Sequence, residues 1–236
     1  MAVVTWTGST DTDYGTAGNW DTGSVPTSSD DVVIADVTNN CVLDGTRSVN
    51  SFTVLSGGDF NGNTEMLTVV GEADGSGATS NGFAVNIDGV IVGTNTNITV
   101  ATPTATTVDF YAQGGGKVRH VTINHASCVA TLGALLDISG NLTITAGELN
   151  TNSGSNYAVT VAGDTTGAGT LTLNNSTYTG GGSGSNLAML GTVTIGTSGV
   201  ITNVDQLGEN GSGGGTITVT GSHTLGHIRL RQLQSK

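Results

Sequence analysis

Short segments in which apolar and polar residues alternate recur along almost the whole chain. The common unit is an apolar residue, a threonine and a second apolar residue, as in Leu-Thr-Val at 67–69 and Ile-Thr-Val at 217–219. Successive side chains of a strand point to opposite faces, so this unit places two aliphatic side chains on one face and threonine on the other. The pattern predicts many short, half-buried β-strands.

Glycine-containing turn signals separate these segments. Asn-Gly or Asp-Gly pairs, which favour tight turns, stand at 44–45, 61–62, 74–75, 81–82, 88–89 and 210–211. Two longer glycine-rich runs, at 180–185 and 211–215, interrupt the spacing of the strand segments and are predicted to protrude as loops. The chain is therefore expected to contain many short strands joined by connections of unequal length.

Two folds accommodate such a pattern: a β-sandwich or jelly roll of hairpins, and a solenoid of stacked coils. A sandwich core normally contains several aromatic side chains, but the chain has only 10, of which Tyr178 is the last. Stacked coils need only aliphatic side chains and Thr or Asn columns, because neighbouring coils bury one another. We therefore predict an all-β fold, a single-stranded right-handed parallel β-helix, with the sandwich or jelly roll as the alternative. Coils of roughly 20–25 residues would give about eight rungs between Ser48 and Leu233.

Composition supports a folded β-protein. The 38 Gly, 40 Thr, 20 Ser and 20 Asn residues make up 118 of the 236, while 36% of the chain is hydrophobic and only 10% is charged. Disordered segments combine low hydrophobicity with high charge, and a helical bundle needs the helix formers that are scarce here. The composition therefore excludes both of these classes.

The charge balance limits the classes of partner that the chain is expected to bind. Six Lys and Arg residues stand against 18 Asp and Glu residues, which gives a net charge of −12. Such a surface does not neutralise phosphates, so we expect no nucleic-acid partner. The chain also lacks an apolar run long enough to cross a bilayer, so we expect no membrane partner.

Residues 1–45 are the most distinctive part of the chain. They contain Trp-Thr-Gly at 6–8, Asn-Trp at 19–20, Val-Pro at 25–26 and Asp-Asp-Val-Val-Ile at 30–34. These residues predict a short strand near 3–7, a folded loop pinned by Trp20, and a first core strand at 32–34.

This pattern resembles, over about 35 residues, the opening of bacterial and phage β-solenoid proteins, where it caps the first coil of a parallel β-helix. The resemblance implies an N-terminal cap or docking segment at 1–45. The repeated strand segments predict a solenoid body at 46–224. The alternation of Ile228 and Leu230 with two arginines predicts a basic C-terminal strand or arm at 225–236, which either closes the open end of the solenoid or docks on a partner. The resemblance also implies a surface or virion protein, and capsid cement or decoration proteins belong to that group.

The residues offer little for catalysis or metal binding. The carboxylates near predicted strands, at 88, 109, 137, 148 and 164, form no local pair of the kind that glycoside hydrolysis needs. His120 and His125 point to opposite faces of a regular strand, and Asp11, Asp13 and Asp21 are only a fragment of a calcium loop. We therefore predict no catalytic residue, no metal and no cofactor.

The two cysteines, Cys41 and Cys128, are widely separated and fit no metal-binding spacing. Two buried free thiols are favoured over a disulfide, because a chain of this size has enough core without a covalent link. Whether the two cysteines pair stays open at this point.

These features together favour a non-enzymatic phage virion protein, most directly a capsid cement or decoration protein that bridges capsomers. The first residues lack a basic segment, an apolar segment and a cleavage site, so we expect no signal peptide, assembly in the host cytoplasm and a place on the virion exterior. The expected partners are the major capsid protein or other virion proteins and further copies of the chain, as a homotrimer. The candidate contact residues are Trp6 and Trp20 in the cap and Arg229 and Arg231 in the basic end.

Two alternatives stay open. One is a tail or head fibre, or an adhesin, that binds host glycans through loops on the solenoid. The other, ranked third, is a β-helix polysaccharide depolymerase.

Overall fold

The computed structural model describes residues 1–76, 79, 82–207 and 216–220. These residues form 21 β-strands and one short 3₁₀ helix, Ala17–Asn19, and they contain no α-helix. No helix in this part of the chain has the length and apolarity needed to span a bilayer. The strands are β1 Ala2–Trp6, β2 Asp30–Ile34, β3 Cys41–Val42, β4 Arg47–Val49, β5 Ser51–Val54, β6 Asp59–Asn61, β7 Met66–Val69, β8 Phe83–Ile87, β9 Val90–Ile91, β10 Thr96–Val100, β11 Ala105–Asp109, β12 Val118–Leu132, β13 Leu136–Ile138, β14 Leu142–Asn150, β15 Val159–Val161, β16 Thr165–Gly167, β17 Thr170–Thr172, β18 Thr177–Met189, β19 Thr192–Ile195, β20 Val200–Leu207 and β21 Thr216–Val219.

The strands stack into a parallel β-solenoid with three faces. The first face contains β1, β2, β5, β8, β11, β17, β19 and β21 with the later parts of β12 and β14. The second face contains β4, β7, β10 and β16 with the early parts of β12 and β14 and the late parts of β18 and β20. The third face contains β3, β6, β9, β13 and β15 with the early parts of β18 and β20.

Four strands run through corners of the coil. Because β12, β14, β18 and β20 each pair on two faces, 18 of the described strands join in one continuous sheet. The three remaining strands, β3, β6 and β9, form a separate small sheet on the third face. The third face is therefore built from two sheets with a break between β9 and β13.

The core is formed by aliphatic and aromatic columns along the solenoid axis. On the first face, side chains one coil apart lie above one another in two buried columns: Val4, Val32, Phe52 and Val85, and beside them Trp6, Ile34, Val54 and Ile87. Each rung is about 4.8 Å from the next, so the apolar surface of one coil is covered by its neighbours.

The threonine of each triplet lies between two buried neighbours and forms polar columns on the outer side. The column on the second face is Ser48, Thr68, Thr99, Thr122, Thr143 and Thr166. The column on the first face is Thr107, Thr131, Asn150, Thr172, Thr194 and Thr218. The apolar-threonine-apolar pattern is thus the signature of one coil wall.

The predicted all-β solenoid is confirmed, and the sandwich or jelly roll is excluded because the paired strands are parallel and stacked by coil. From β5 to β21 the first face carries eight described strands, and the seven intervals between them are about seven turns. The eight strands agree with the prediction of about eight rungs. Coil length on the first face varies from 19 residues between Ala130 and Leu149 to 33 between Phe52 and Val85.

One loop prediction is wrong. The glycine-rich run at 180–185 lies within β18, where it carries the chain around the corner from the third face to the second. Small residues are required there, because a Cβ on Gly181 would collide with the backbone oxygen of Ala162 in the preceding coil. The second run, at 211–215, lies outside the described residues.

Candidate functional site

The first strand of the solenoid would present an open edge, and the chain closes that edge with its own backbone. Residues 19–21 return beside β1 and form an antiparallel bridge between Trp6 and Trp20. The Thr5 amide donates to Asp21 Oδ1 at 2.9 Å, and the Asp21 amide donates to the Thr5 carbonyl at 3.0 Å. This closure pairs the outward backbone groups of Thr5 and, through the Asn19 carbonyl, the amide of Thr7, and so shortens the open edge through which an edge strand associates.

Both tryptophans of the chain hold this closure from inside. Trp6 and Trp20 are 1% and 2% exposed, and their rings meet edge-on with centroids 5.1 Å apart. The indole nitrogen of Trp6 donates to the Asn39 carbonyl at 2.8 Å, and that of Trp20 donates to the Tyr14 carbonyl at 2.9 Å. Each ring therefore fills the end of the core and also fixes a loop.

Asn19 organises the loop that precedes the closure. Its side chain is fully buried, and its Oδ1 accepts from the amides of Thr10 at 2.9 Å and Asp11 at 3.0 Å. Its Nδ2 donates to Asp11 Oδ1 at 2.6 Å and to the Asp13 carbonyl at 2.8 Å. This buried amide is fully hydrogen-bonded, which is the condition for burying it without a large cost.

The acidic residues of the loop act as turn acceptors. Asp11 accepts from the Asp13 amide, from Asn19 and from Thr16, and these hydrogen bonds lower the pKa of its carboxyl. In the described part of the chain no three His, Cys, Asp or Glu side chains are grouped closely enough to hold a metal ion.

Gly8, the last residue of the Trp-Thr-Gly motif, meets a strict backbone requirement. Its φ is +54°, and a Cβ there would lie 2.9 Å from the Asn39 carbonyl oxygen. The Asn39 side chain in turn donates to the Gly8 carbonyl at 2.6 Å. Glycine is required here for both its conformation and its size.

The two aspartates of the Asp-Asp-Val-Val-Ile motif have different tasks. Asp30 accepts from the Thr27 amide at 2.9 Å and so fixes the turn that enters β2. Asp31 is fully buried, and its Oδ1 accepts from Asn50 and Ser51 of the next coil, each at 2.7 Å. Asp30 and Asp31 therefore fix the entry to β2 and join β2 to the next coil.

The exposed surface at this end of the solenoid is formed by loops and not by the tryptophan rings. The sequence singled out Trp6 and Trp20 as contact residues, but their rings are covered by the chain itself. The exposed positions that these rings support are 9–13 and 21–24. The other two candidates, Arg229 and Arg231, lie outside the described residues.

A second feature, a cleft of about 370 Å³, opens on the third face at the break between β9 and β13. The coil between β11 and β12 has no regular strand on this face and pairs with β9 through an isolated bridge between Val90 and Gln113. Its residues 110–117 line the cleft together with Asp137 of the next coil. The cleft therefore opens where this coil lacks the regular strand that other described coils have on the third face.

Three side chains that could contact a ligand line this cleft: an aromatic ring, an amine and a carboxylate. Tyr111 is 51% exposed, whereas the other aromatic side chains of the described chain are buried or half-buried. Lys117 Nζ lies 2.7 Å from Asp137 Oδ2. The remaining oxygen, Asp137 Oδ1, is covered and has no hydrogen-bond partner.

Asp109 fixes the backbone that carries Tyr111. Its Oδ1 accepts from the Tyr111 amide at 2.8 Å, two residues along the chain. Burial raises the pKa of the Asp109 carboxyl, the hydrogen bond opposes that rise, and the nearby charge of Asp88 adds to it. The aromatic side chain is therefore presented from an anchored turn.

Sequence reasoning did not bring these groups together. The contact of Lys117 with Asp137 depends on how one coil stacks on the next, which the sequence alone does not specify. The triple glycine at 114–116 beside an unburied tyrosine is the signal that could have drawn attention to this place.

The histidine pair that the sequence placed on opposite faces does not form a joint site. His120 instead begins a polar ladder along the second face: its Nδ1 accepts from the Asn141 amide at 2.8 Å. Asn141 Oδ1 accepts from the Asp164 amide at 3.1 Å, and Asp164 Oδ1 accepts from the Asn186 amide at 2.8 Å. Burial and the charge of Arg119 lower the pKa of His120.

In the comparison with known proteins, one family model matches part of the chain, and that family has no assigned function. Residues 5–111 match a family described as a domain of unknown function (DUF8693). The match extends from β1 to Tyr111 and covers less than half of the chain. No curated protein and no solved structure matches the chain.

Proposed function

We propose that the chain is a non-enzymatic structural protein of a phage virion, most directly a capsid cement or decoration protein on the particle exterior. The observation that carries this proposal is the closed end of the solenoid. There the Trp6–Trp20 closure holds exposed loops at 9–13 and 21–24 in fixed positions at the tip of a rigid body. A rigid, prefixed docking surface lowers the entropy lost on binding.

The body behind the cap suits a load-bearing role. Coils joined by parallel hydrogen bonds on three faces resist bending, because each coil is fixed by both of its neighbours. A protein that bridges capsomers must transmit force between two contacts without changing length. The stacked coils supply this stiffness.

The charge distribution fits a protein that faces solvent. A net charge of −12 keeps the free protein soluble and discourages non-specific association with other acidic surfaces. The sequence ends in a basic segment with Arg229 and Arg231, which we propose as a second contact with the major capsid protein. We also propose a homotrimer, since closed symmetry is the usual form of such assemblies.

The test uses particles of the phage that encodes the chain, prepared with and without it. We expect particles that lack the chain to release their DNA at a lower temperature, and we expect purified protein to bind them and restore the resistance. A protein with the substitution Ser153→Ala, at an exposed position of the solenoid body outside the proposed contacts, serves as a handling control. Failure of the purified protein to bind the particles contradicts the proposal.

Light scattering of the purified protein at micromolar concentration tests the trimer separately. A mass of three chains is expected, and a stable monomer both in solution and on particles contradicts that part of the proposal. The stoichiometry does not affect the decoration role itself.

The second candidate function is a fibre or adhesin that binds host glycans, and the cleft at Tyr111 is the observation that favours it. A location at a tail or at one vertex would support this candidate over a shell protein. For the third candidate, a depolymerase, new reducing or unsaturated ends on host polysaccharide incubated with the protein would be the positive result.

A further inference from the structure

The cleft on the third face has the composition of a small-ligand site. Its volume of about 370 Å³ falls within the range typical of ligand pockets, and it combines an aromatic ring, a lysine, a carboxylate and glycine backbone. We propose that this cleft binds a neutral saccharide, with Tyr111 as the stacking platform and Asp137 and Lys117 as the hydrogen-bonding pair. The inference does not depend on the virion role.

Tyr111 supplies the stacking surface. A chain that buries or half-buries its other described aromatic side chains leaves this ring 51% exposed at the mouth of a cleft. The C–H face of a pyranose ring packs on such a surface, and the phenol hydroxyl still reaches water or a sugar hydroxyl. The hydrogen bond from the Tyr111 amide to Asp109 fixes the backbone that carries the ring.

Lys117 and Asp137 supply polar contacts with direction. Their 2.7 Å ion pair places a donor and an acceptor side by side, a spacing that suits two neighbouring hydroxyls of a sugar. Asp137 Oδ1 is covered and has no partner in the free protein, which is an unfavourable state for a carboxylate oxygen. A small rotation of the side chain would let a ligand hydroxyl donate to it.

The glycine run shapes the wall of the cleft. Gly114 and Gly115 have φ values of +70° and +80°, and a Cβ on Gly116 would collide with the Ile91 carbonyl oxygen. The wall is therefore thin backbone, which lets a ligand approach the amide and carbonyl groups closely. Such backbone groups are suitable partners for sugar hydroxyls.

The local charge selects a neutral ligand. Lys117, the one cation among the residues that line the cleft, is already paired with Asp137. Asp109, whose carboxyl interacts with the charge of Asp88, lies two residues before Tyr111. A phosphate, sulfate or uronate would have to displace the Asp137 carboxylate to pair with this lysine. A purely apolar ligand would leave the ion pair and the backbone groups without hydrogen-bond partners.

Saturation-transfer NMR on the full chain tests the proposal. The probes are glucose, galactose, mannose, rhamnose and N-acetylglucosamine at about 10 mM, a range suited to weak monosaccharide binding. Glucuronic acid and glucose 6-phosphate serve as anionic comparators. We expect saturation transfer to the C–H protons of at least one neutral sugar and no stronger transfer to the anionic ones.

Variants then locate the binding. Tyr111→Ala and Asp137→Asn are each expected to weaken the affinity about tenfold, while Tyr111→Phe stays within about twofold of the parent. Leu190→Ala, at a 51% exposed residue that does not line this cleft, is the matched control and should bind like the parent. Unchanged circular dichroism and melting temperature show that the variants are folded.

Three results would each overturn the proposal. These are no transfer to any neutral sugar, stronger transfer to the anionic sugars, or binding that is unchanged in both Tyr111→Ala and Asp137→Asn. Because Tyr111→Phe and Asp137→Asn preserve shape, the result remains interpretable if Tyr111→Ala fails to fold.

Discussion

Trp20 lies antiparallel to Trp6 at the first strand of the solenoid, with the two rings edge-on and their centroids 5.1 Å apart. One residue pair thus performs two tasks: the rings close the end of the apolar core, and the backbones pair along an edge that would otherwise be open. The Asn-Trp and Trp-Thr-Gly motifs are 11 residues apart in the sequence because a loop must form between them.

Removing the Trp20 ring should open this end of the solenoid. We expect Trp20→Ala to lower the free energy of unfolding by about 3–5 kcal/mol, because a buried aromatic ring and its contacts are lost. The same variant should associate at high concentration through the uncovered edge of β1. Denaturant unfolding and light scattering measure the two effects.

Thr22→Ala is the control for this prediction, since residue 22 is exposed in the same loop. It should change the free energy of unfolding by less than about 0.5 kcal/mol and leave the mass unchanged. A Trp20→Ala protein as stable as the Thr22→Ala protein would contradict the structural role assigned to the closure.

Gly8 and Gly23 offer a matched pair of glycine substitutions in the cap. Both have positive φ, +54° and +69°, but a Cβ on Gly8 meets the Asn39 oxygen at 2.9 Å while a Cβ on Gly23 meets nothing within 4 Å. We expect Gly23→Ala to cost about 1 kcal/mol for its conformation alone and Gly8→Ala to cost about 3 kcal/mol. Equal losses in denaturant unfolding would show that the Trp-Thr-Gly motif does not require its glycine for space.

His120 should make stability depend on pH. Its pKa is lowered from 6.5 in the folded protein, so below about pH 6.5 the unfolded chain binds more protons than the folded chain. Stability is therefore full above that pH and falls as the pH decreases through 6.5, also because protonated Nδ1 cannot accept from the Asn141 amide. Unfolding measured between pH 8 and pH 5, a range of about three units around the histidine pKa, should show this loss.

The variant His120→Asn isolates the effect. Asn and Asp serve as acceptors at the next positions of the same ladder, so Asn at 120 keeps an acceptor that does not titrate. Its stability should change less over the same pH range than that of the parent. An identical pH profile for the two proteins would exclude His120 as the source.

The two cysteines should be inert in the folded protein. Both are fully buried free thiols, and burial raises the pKa of each, that of Cys41 further through the charges of Asp44 and Asp13. We expect no reaction with a thiol reagent under native conditions and two reactive thiols per chain after denaturation. Rapid reaction of the native protein, or no free thiol after denaturation without reductant, would contradict this assignment.

Much of the fold could be predicted from the sequence because its signals are local. Strand β2 follows from the apolar run at 32–34, and the loop at Trp20 follows from a lone aromatic among polar residues, and both are present in the structure. The threonine triplets fix which side chains face inward without any knowledge of the neighbouring coils.

The cleft could not be predicted in the same way. The approach of Lys117 to Asp137 depends on the register between two coils and on the missing strand between β11 and β12, which are properties of the stack. The role of the run at 180–185 was mistaken for a related reason, because glycine serves corners that pack against the previous coil as well as exposed loops.

The most direct test of the central claim, that this capped solenoid decorates a virion shell, is the copy number of the chain in purified particles, measured by quantitative mass spectrometry against the major capsid protein. The proposed role predicts a copy number comparable to that of the capsid protein or a simple symmetric fraction of it. Absence of the chain from the particles, or a few copies confined to a tail or one vertex, would contradict it.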